Sequence, residues 1–115
     1  MSRHSAAAAG RRAQATVFAA LGDETRLALL ARLVDGRRRS ISELTDGSKL
    51  TRQAITKHLR VLERVRVVHS VRAGRESLFE FNPQPMEELR GYLEVVSRQW
   101  EEALLRLKAF VEESR

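Results

Sequence analysis

Long hydrogen-bond donors recur at helical spacing in the middle of this chain. Arg52, Gln53, Thr56, Lys57 and Arg60 lie one, three or four residues apart, so a helix through them carries all five on one side. Ile55, Leu59 and Leu62 fall on the opposite side as a buried stripe, and Thr51 stands in front with a hydroxyl suited to capping. Such a set makes hydrogen bonds and does not break covalent bonds. A glutamine amide can pair bidentately with adenine and a guanidinium with guanine, and a helix fits the major groove of duplex DNA. His58, on the flank of the same helix, is equally suited to touching DNA or to bonding locally. Beyond it, Arg72 and Arg75 bracket Ala73-Gly74, where a hairpin tip would bring them to phosphates or the minor groove.

Charge is concentrated where this chemistry needs it. The chain has 115 residues and a formal net charge of +6. Residues 37–75 hold eleven Lys and Arg against Glu43, Asp46 and Glu63, a net +8 that leaves the remainder at −2. A block of positive charge suits a polyanion, whereas charge for solubility alone would be spread evenly. With no cysteine there is no disulfide, thiolate metal site or cysteine nucleophile. Nothing sets an activated nucleophile beside one of the three histidines, so the chain reads as a binding protein and not an enzyme. No apolar run is long enough to span a bilayer, and residues 1–12 lack the core of a signal peptide, which predicts a cytoplasmic protein.

Those side chains need a scaffold, and the pattern supplies one domain over residues 13–115 behind a flexible tail at 1–12. Val17, Phe18 and Leu21 predict a short first helix over 16–21. Asp23 caps a second, over 24–35, with Leu27, Leu30, Leu33 and Val34 on one face and Gly36 as the stop. Arg37, Arg38 and Arg39 read as a solvated connector, with a phosphate contact the second reading. Ser40 and Glu43 have capping-box spacing ahead of a third helix ending near Gly47. Residues 48–50 then make the tight turn into the donor-bearing fourth helix. After Arg66 the period changes to two: Val67, His69 and Val71 alternate, as do residues 77–81 with Phe79 and Phe81 on one side, which predicts a β-hairpin with His69 in a structural role. Pro83 and Pro85 end it and open a fifth helix over about 85–113. The expected fold is mostly α with a small hairpin: four helices, the hairpin and a last helix, in the order of a winged helix-turn-helix.

Several stretches resemble the successive signatures of the ArsR/SmtB family of repressors. They are Ala20-Leu21-Gly22-Asp23-Glu24-Thr25-Arg26-Leu27, Ser42-Glu43-Leu44, the run from Gln53 to Leu62, and Arg72-Ala73-Gly74-Arg75. The resemblance implies a homodimeric repressor that binds double-stranded DNA and leaves its operator on meeting an inducer, here of unknown identity. It also implies that Thr51, Arg52, Gln53, Thr56, Lys57 and His58 face the groove, while Lys57, Arg60, Arg72 and Arg75 suit phosphate or minor-groove contacts. The last helix is similar to a branch whose genes often accompany those for proteins of the SRPBCC ligand-binding fold.

Two departures from the family pattern matter. The third helix has no Cys-x-Cys, and residues 86–115 contain neither His nor Asp, so both familiar metal sites are missing and no metal or cofactor is expected. Arg66 stands where the family usually places the glycine that ends the recognition helix in a left-handed turn, which leaves that boundary open. Met86, Leu89, Leu93, Val96, Trp100, Leu104, Leu107 and Val111 step along the last helix for roughly 38 Å. Such a seam exceeds what a small core can cover. An isologous dimer interface of Leu89, Leu93, Val96, Trp100, Leu104 and Leu107 with Val17, Phe18 and Leu21 of the first helix is therefore expected. The competing reading is a winged helix serving as a protein-interaction scaffold, against which the +8 block argues.

Overall fold

The computed structural model describes residues 3–113, with side chains from residue 8 onward. The chain runs α1 (Arg3–Leu21), α2 (Glu24–Ala31), β1 (Arg39–Ser40), α3 (Ile41–Thr45), α4 (Arg52–Arg64), β2 (Val68–Ala73), β3 (Glu76–Phe81) and α5 (Gln84–Glu113). Helix α1 is far longer than the six residues expected, and residues 3–12, expected as a tail, are helical; Met1 and Ser2 lie outside the described residues. Its alanines explain the extension, since high helix propensity needs no amphipathic stripe to announce it.

The predicted caps form. Asp23 Oδ2 accepts from the Arg26 amide at 2.9 Å to start α2. At α3 the capping box closes both ways, with Glu43 N donating to Ser40 Oγ and Ser40 N to Glu43 Oε1, each at 3.1 Å. Thr51 Oγ1 accepts from Ala54 N at 3.1 Å to start α4. Each such cap contributes about 1 kcal/mol. Regular α2 stops at Ala31, short of the expected Asp35; beyond it the chain tightens into turns, Leu33 N to Leu30 O at 2.9 Å and Gly36 N to Leu33 O at 3.1 Å.

The sheet has three strands in the order β1-β3-β2, one more than the hairpin expected. The addition is β1, in the arginine run read as a connector: Arg39 pairs with Phe79 and Ser40 with Leu78, both antiparallel. Its side chains are engaged with their own chain, Arg38 with Glu80 at 2.8 Å and Arg39 with Asp35 at 2.9 Å and the Arg32 carbonyl at 2.8 Å. Strands β2 and β3 join through Gly74 and Arg75, with Ala73 opposite Glu76. Gly74 has φ +63, the conformation that a two-residue hairpin with glycine first requires.

The end of α4 settles the question raised by Arg66. That residue adopts φ +65, so it makes the left-handed turn in place of glycine. Arg66 N donates to Glu63 O at 2.9 Å and Val67 N to Leu62 O at 3.1 Å, the two bonds of a Schellman closure, with Leu62 and Val67 both fully buried.

The core gathers Leu29, Leu30 and Leu33 of α2 and its turns, Leu44 of α3, Ile55, Leu59 and Leu62 of α4, and Val67, Val68 and Phe79 at the sheet. Helix α5 is attached at its start, where Pro85 and Leu89 are buried. It then runs on, 30 residues or roughly 45 Å, in a molecule measuring 68 × 37 × 22 Å. None of its residues after Leu89 is fully buried.

Candidate nucleic-acid interface

Helix α4 presents its donors from the first two turns. Arg52, Gln53, Thr56 and Lys57 line one shallow, open depression on its outer side. Gln53 and Lys57 are exposed and make no side-chain hydrogen bond among the described residues, so their donors face solvent. Arg52 is held: its Nη1 donates to Ser42 Oγ of α3 at 2.9 Å, which fixes the guanidinium at the helix-turn-helix junction. Thr56 turns its hydroxyl back to the Arg52 carbonyl at 2.7 Å, leaving its methyl group as the available surface. The Thr51 oxygen is taken by capping, with its proton left to donate.

The electrostatics of this end favour an anion. The first turn of α4 contains Arg52 and no acid, although the macrodipole would stabilise an acid there. Free backbone N–H groups and a guanidinium therefore meet at the same place, an arrangement that suits phosphate.

Arg60 and His58 are placed differently from that set. Arg60 Nη1 bonds Glu63 Oε1 at 2.7 Å, and its guanidinium carbon lies 5.9 Å from the Phe79 ring centroid. Glu63 also accepts from Ser70 Oγ of β2 at 2.7 Å, so one carboxylate braces α4 against the sheet. The Ser70 hydroxyl and then Arg60 hold that carboxyl below its ordinary pKa, against a smaller opposing effect of burial than the hydroxyl exerts. His58 points toward α2, its Nδ1 3.3 Å from Arg26 Nη1 and 3.8 Å from Asp23 Oδ2. It makes the local contact and is separated from Gln53 and Lys57. Arg26 itself donates to the Ala20 and Ala19 carbonyls at the end of α1, so its guanidinium joins three helices.

The hairpin carries Arg72 and Arg75, both exposed, with Arg72 Nε directed to the Gly74 carbonyl at 3.2 Å and Arg75 in the turn itself. Behind the tip, Glu80 binds both Arg38 and His69, which places His69 in the structural role expected for it. The Arg38 guanidinium first, then His69, lowers the Glu80 pKa. Ser42, Glu63, Ser70 and Arg26 were not singled out by spacing. Only Arg60 and Glu63, three apart on one helix, carried a local signal; the others meet their partners through the tertiary fold.

The residues expected to form a dimer face divide. Val17 and Leu21 are partly buried against the domain core and Leu89 is buried near the start of α5, so the protomer already covers these three at least in part. Phe18, Leu93, Leu104 and Leu107 are exposed, Trp100 is 66% exposed, and Val96 is half-buried. Among the described residues no three His, Asp or Glu side chains gather as a metal site, and no helix is long and apolar enough to cross a membrane.

Comparison with known proteins bears on both halves of this surface. Residues 21–71 match a family described as a helix-turn-helix domain. The chain is 39% identical over 85 residues to the uncharacterized HTH-type transcriptional regulator YuzN of Bacillus subtilis, covering 68% of this chain and 92% of that one. Among solved structures it resembles an ArsR-like transcriptional regulator from Rhodococcus sp. RHA1, with a TM-score of 0.76 and 35% identity over 87% of this chain and 93% of the other. It also shares the fold of the homodimeric winged helix-turn-helix domain Mb0332 of Mycobacterium bovis, a possible ArsR-family regulator: TM-score 0.65, 21% identity, 86% and 89% covered.

Proposed function

Because the chain belongs to the ArsR family of winged helix-turn-helix proteins and is a DNA-binding transcriptional regulator, we propose that it works as a homodimeric repressor whose two α4 helices read the halves of an inverted-repeat operator. The observation that carries this reading is the exposed donor face at the start of α4, unopposed by any acid in the first turn. Gln53 and Arg52 are the base-reading candidates, with Thr51 and Thr56 alongside. Lys57, Arg60, Arg72 and Arg75 are assigned to phosphates or, for the two hairpin arginines, the adjacent minor groove. His58 is left to hold α4 on α2. The protein acts where the DNA is, in the cytoplasm.

Dimerisation is supported by the apolar seam that the protomer leaves uncovered, above all Trp100, Leu104 and Leu107 with Phe18 nearby in the expected interface. The homodimeric state of the Mycobacterium bovis protein, which shares this fold, points the same way. Two recognition helices related by a two-fold axis bind half-sites about 34 to 36 Å apart, or a multiple of it.

A titration of DNA from the region upstream of the gene against scrambled DNA, at several salt concentrations, tests the reading. Four phosphate contacts per protomer give about eight per dimer and a slope of log K against log salt near roughly −7. Specific binding is expected to exceed binding to scrambled DNA by about a thousandfold or more. Equal affinity for both sequences, or a slope near zero, refutes base reading and favours a scaffold.

A further inference from the structure

We infer that the cleft between α1, the C-terminal turn of α4 and the start of α5 binds a small aromatic carboxylate carrying a hydroxyl group. The cleft has a volume of about 330 Å³, near the lower end of the range for small-molecule sites. It lies at the opposite end of α4 from Thr51, roughly 18 Å along the helix.

Three observations meet there. Arg64 and Arg66 line the cleft together with Glu88, and none of the three makes an ion pair among the described residues, so two arginines outnumber the one carboxylate there. Gln14 lines it from α1, and its Oε1 is the one buried side-chain polar atom among the described residues that lacks a hydrogen-bond partner. An orphaned buried acceptor is costly, and a donor brought beside it recovers that cost. Arg66 holds φ +65, a conformation that L residues other than glycine rarely adopt, and such backbone persists where surrounding structure or function requires it.

The ligand chemistry follows from these groups. Two guanidinium groups against the single carboxylate of Glu88 leave a net positive charge that favours an anion, and a planar carboxylate matches the guanidinium fork. Gln14 Oε1 calls for a hydroxyl or amine donor at the other end of the ligand. Val17 and Val65, with Pro85, provide the apolar surface for a body between the two ends. A single ring bearing both substituents meets all three requirements. Val65 and Arg66 form the closing turn of α4, so a ligand held there pulls on the end of the helix whose start faces DNA, a consequence that rests on the DNA-reading assignment above.

Calorimetry on the full chain without DNA tests the site, with 4-hydroxybenzoate as the probe and 4-hydroxybenzyl alcohol and inorganic phosphate as controls. Saturable binding of 4-hydroxybenzoate is expected, weakened about tenfold or more by Arg64→Gln, by Gln14→Leu, or by replacing the carboxylate with the alcohol. Amide shifts in a heteronuclear NMR titration should centre on Gln14, Val65 and Arg66, which checks the site without any variant. Absence of saturable binding, shifts centred elsewhere, or unchanged affinity in both folded variants overturns the inference, as does phosphate binding as well as the carboxylate. Because no DNA is present, failure here leaves the reading of DNA by α4 standing, and loss of sequence selectivity in the DNA titration leaves the cleft standing.

Discussion

Replacing Arg66 by glycine should make the protein more stable, although it deletes a whole side chain. Arg66 holds φ +65 to close the Schellman turn. A left-handed conformation costs an L residue with a Cβ roughly 1–2 kcal/mol, which glycine avoids. Against this, glycine gives the unfolded chain extra freedom worth roughly 0.5–1 kcal/mol. The arginine is also lost from the negative end of the α4 dipole, an exposed interaction worth about 0.3 kcal/mol at moderate salt. The balance is a stabilisation of about 0.5 kcal/mol. Arg66→Ala removes the same charge and keeps the strain, so glycine should exceed alanine by about 1 kcal/mol, or roughly 3–5 °C in Tm. Urea unfolding of the three proteins at one fixed concentration measures the difference, the fixed concentration removing any effect of assembly. Equal stability of the glycine and alanine variants, or a less stable glycine variant, would refute the claim that this backbone is strained.

Gln53→Ala should relax preference at one base position per half-site at a cost of about 1–3 kcal/mol, whereas Arg75→Ala should weaken all sequences alike and reduce the salt slope by roughly 2, one contact per protomer. Equal losses on specific and scrambled DNA for Gln53→Ala would remove it from base reading. Trp100→Ala should weaken the dimer by roughly 2 kcal/mol or more, about 30-fold in Kd by sedimentation, with little effect on protomer unfolding because the indole is mostly exposed there; an unchanged dimer sinks the interface. Acid should destabilise the fold: Glu63 has a pKa lowered from 4.5, chiefly by the Ser70 hydroxyl, so its contribution is present above that value and is lost as pH falls through the lower folded one. Glu63→Gln should therefore show a shallower fall in urea midpoint below about pH 4.5 than the parent, and parallel curves would show that the carboxylate contributes nothing.

The elements legible in the sequence were those whose signal is local. Asp23, the Ser40–Glu43 pair and Thr51 cap their helices as their types and spacing require, and Ile55, Leu59 and Leu62 are buried as the period demands. What escaped was decided at a distance. Arg39 and Ser40 are strand only because β3 offers a free edge at Phe79 and Leu78, and nothing in three consecutive arginines announces that partner. The helicity of residues 3–12 comes from propensity without an apolar stripe, so a search for periodicity passes over it. His58 differs from Lys57 by one position, yet that step rotates it toward Asp23 and Arg26. Along the seam expected to form a dimer face, Val17, Leu21 and Leu89 share the spacing of Phe18 and Trp100, and only the packing of α1 and α5 on the domain tells covered from exposed.

Helix α5 is anchored at Pro85 and Leu89 and reaches 24 residues further, to Glu113, about 36 Å, without another fully buried side chain. Mechanically it is a lever. A tilt of about 5° at the anchor sweeps its far end through roughly 3 Å, by the rise per residue alone. Read in reverse, whatever grips the far end gains leverage on the base, and the base is the junction where β3, the Arg66 turn and the Gln14 cleft come together. Small rearrangements along the exposed seam are thus geared down into fine angular control of the domain, and the longest and least embedded element becomes the one best able to set its orientation.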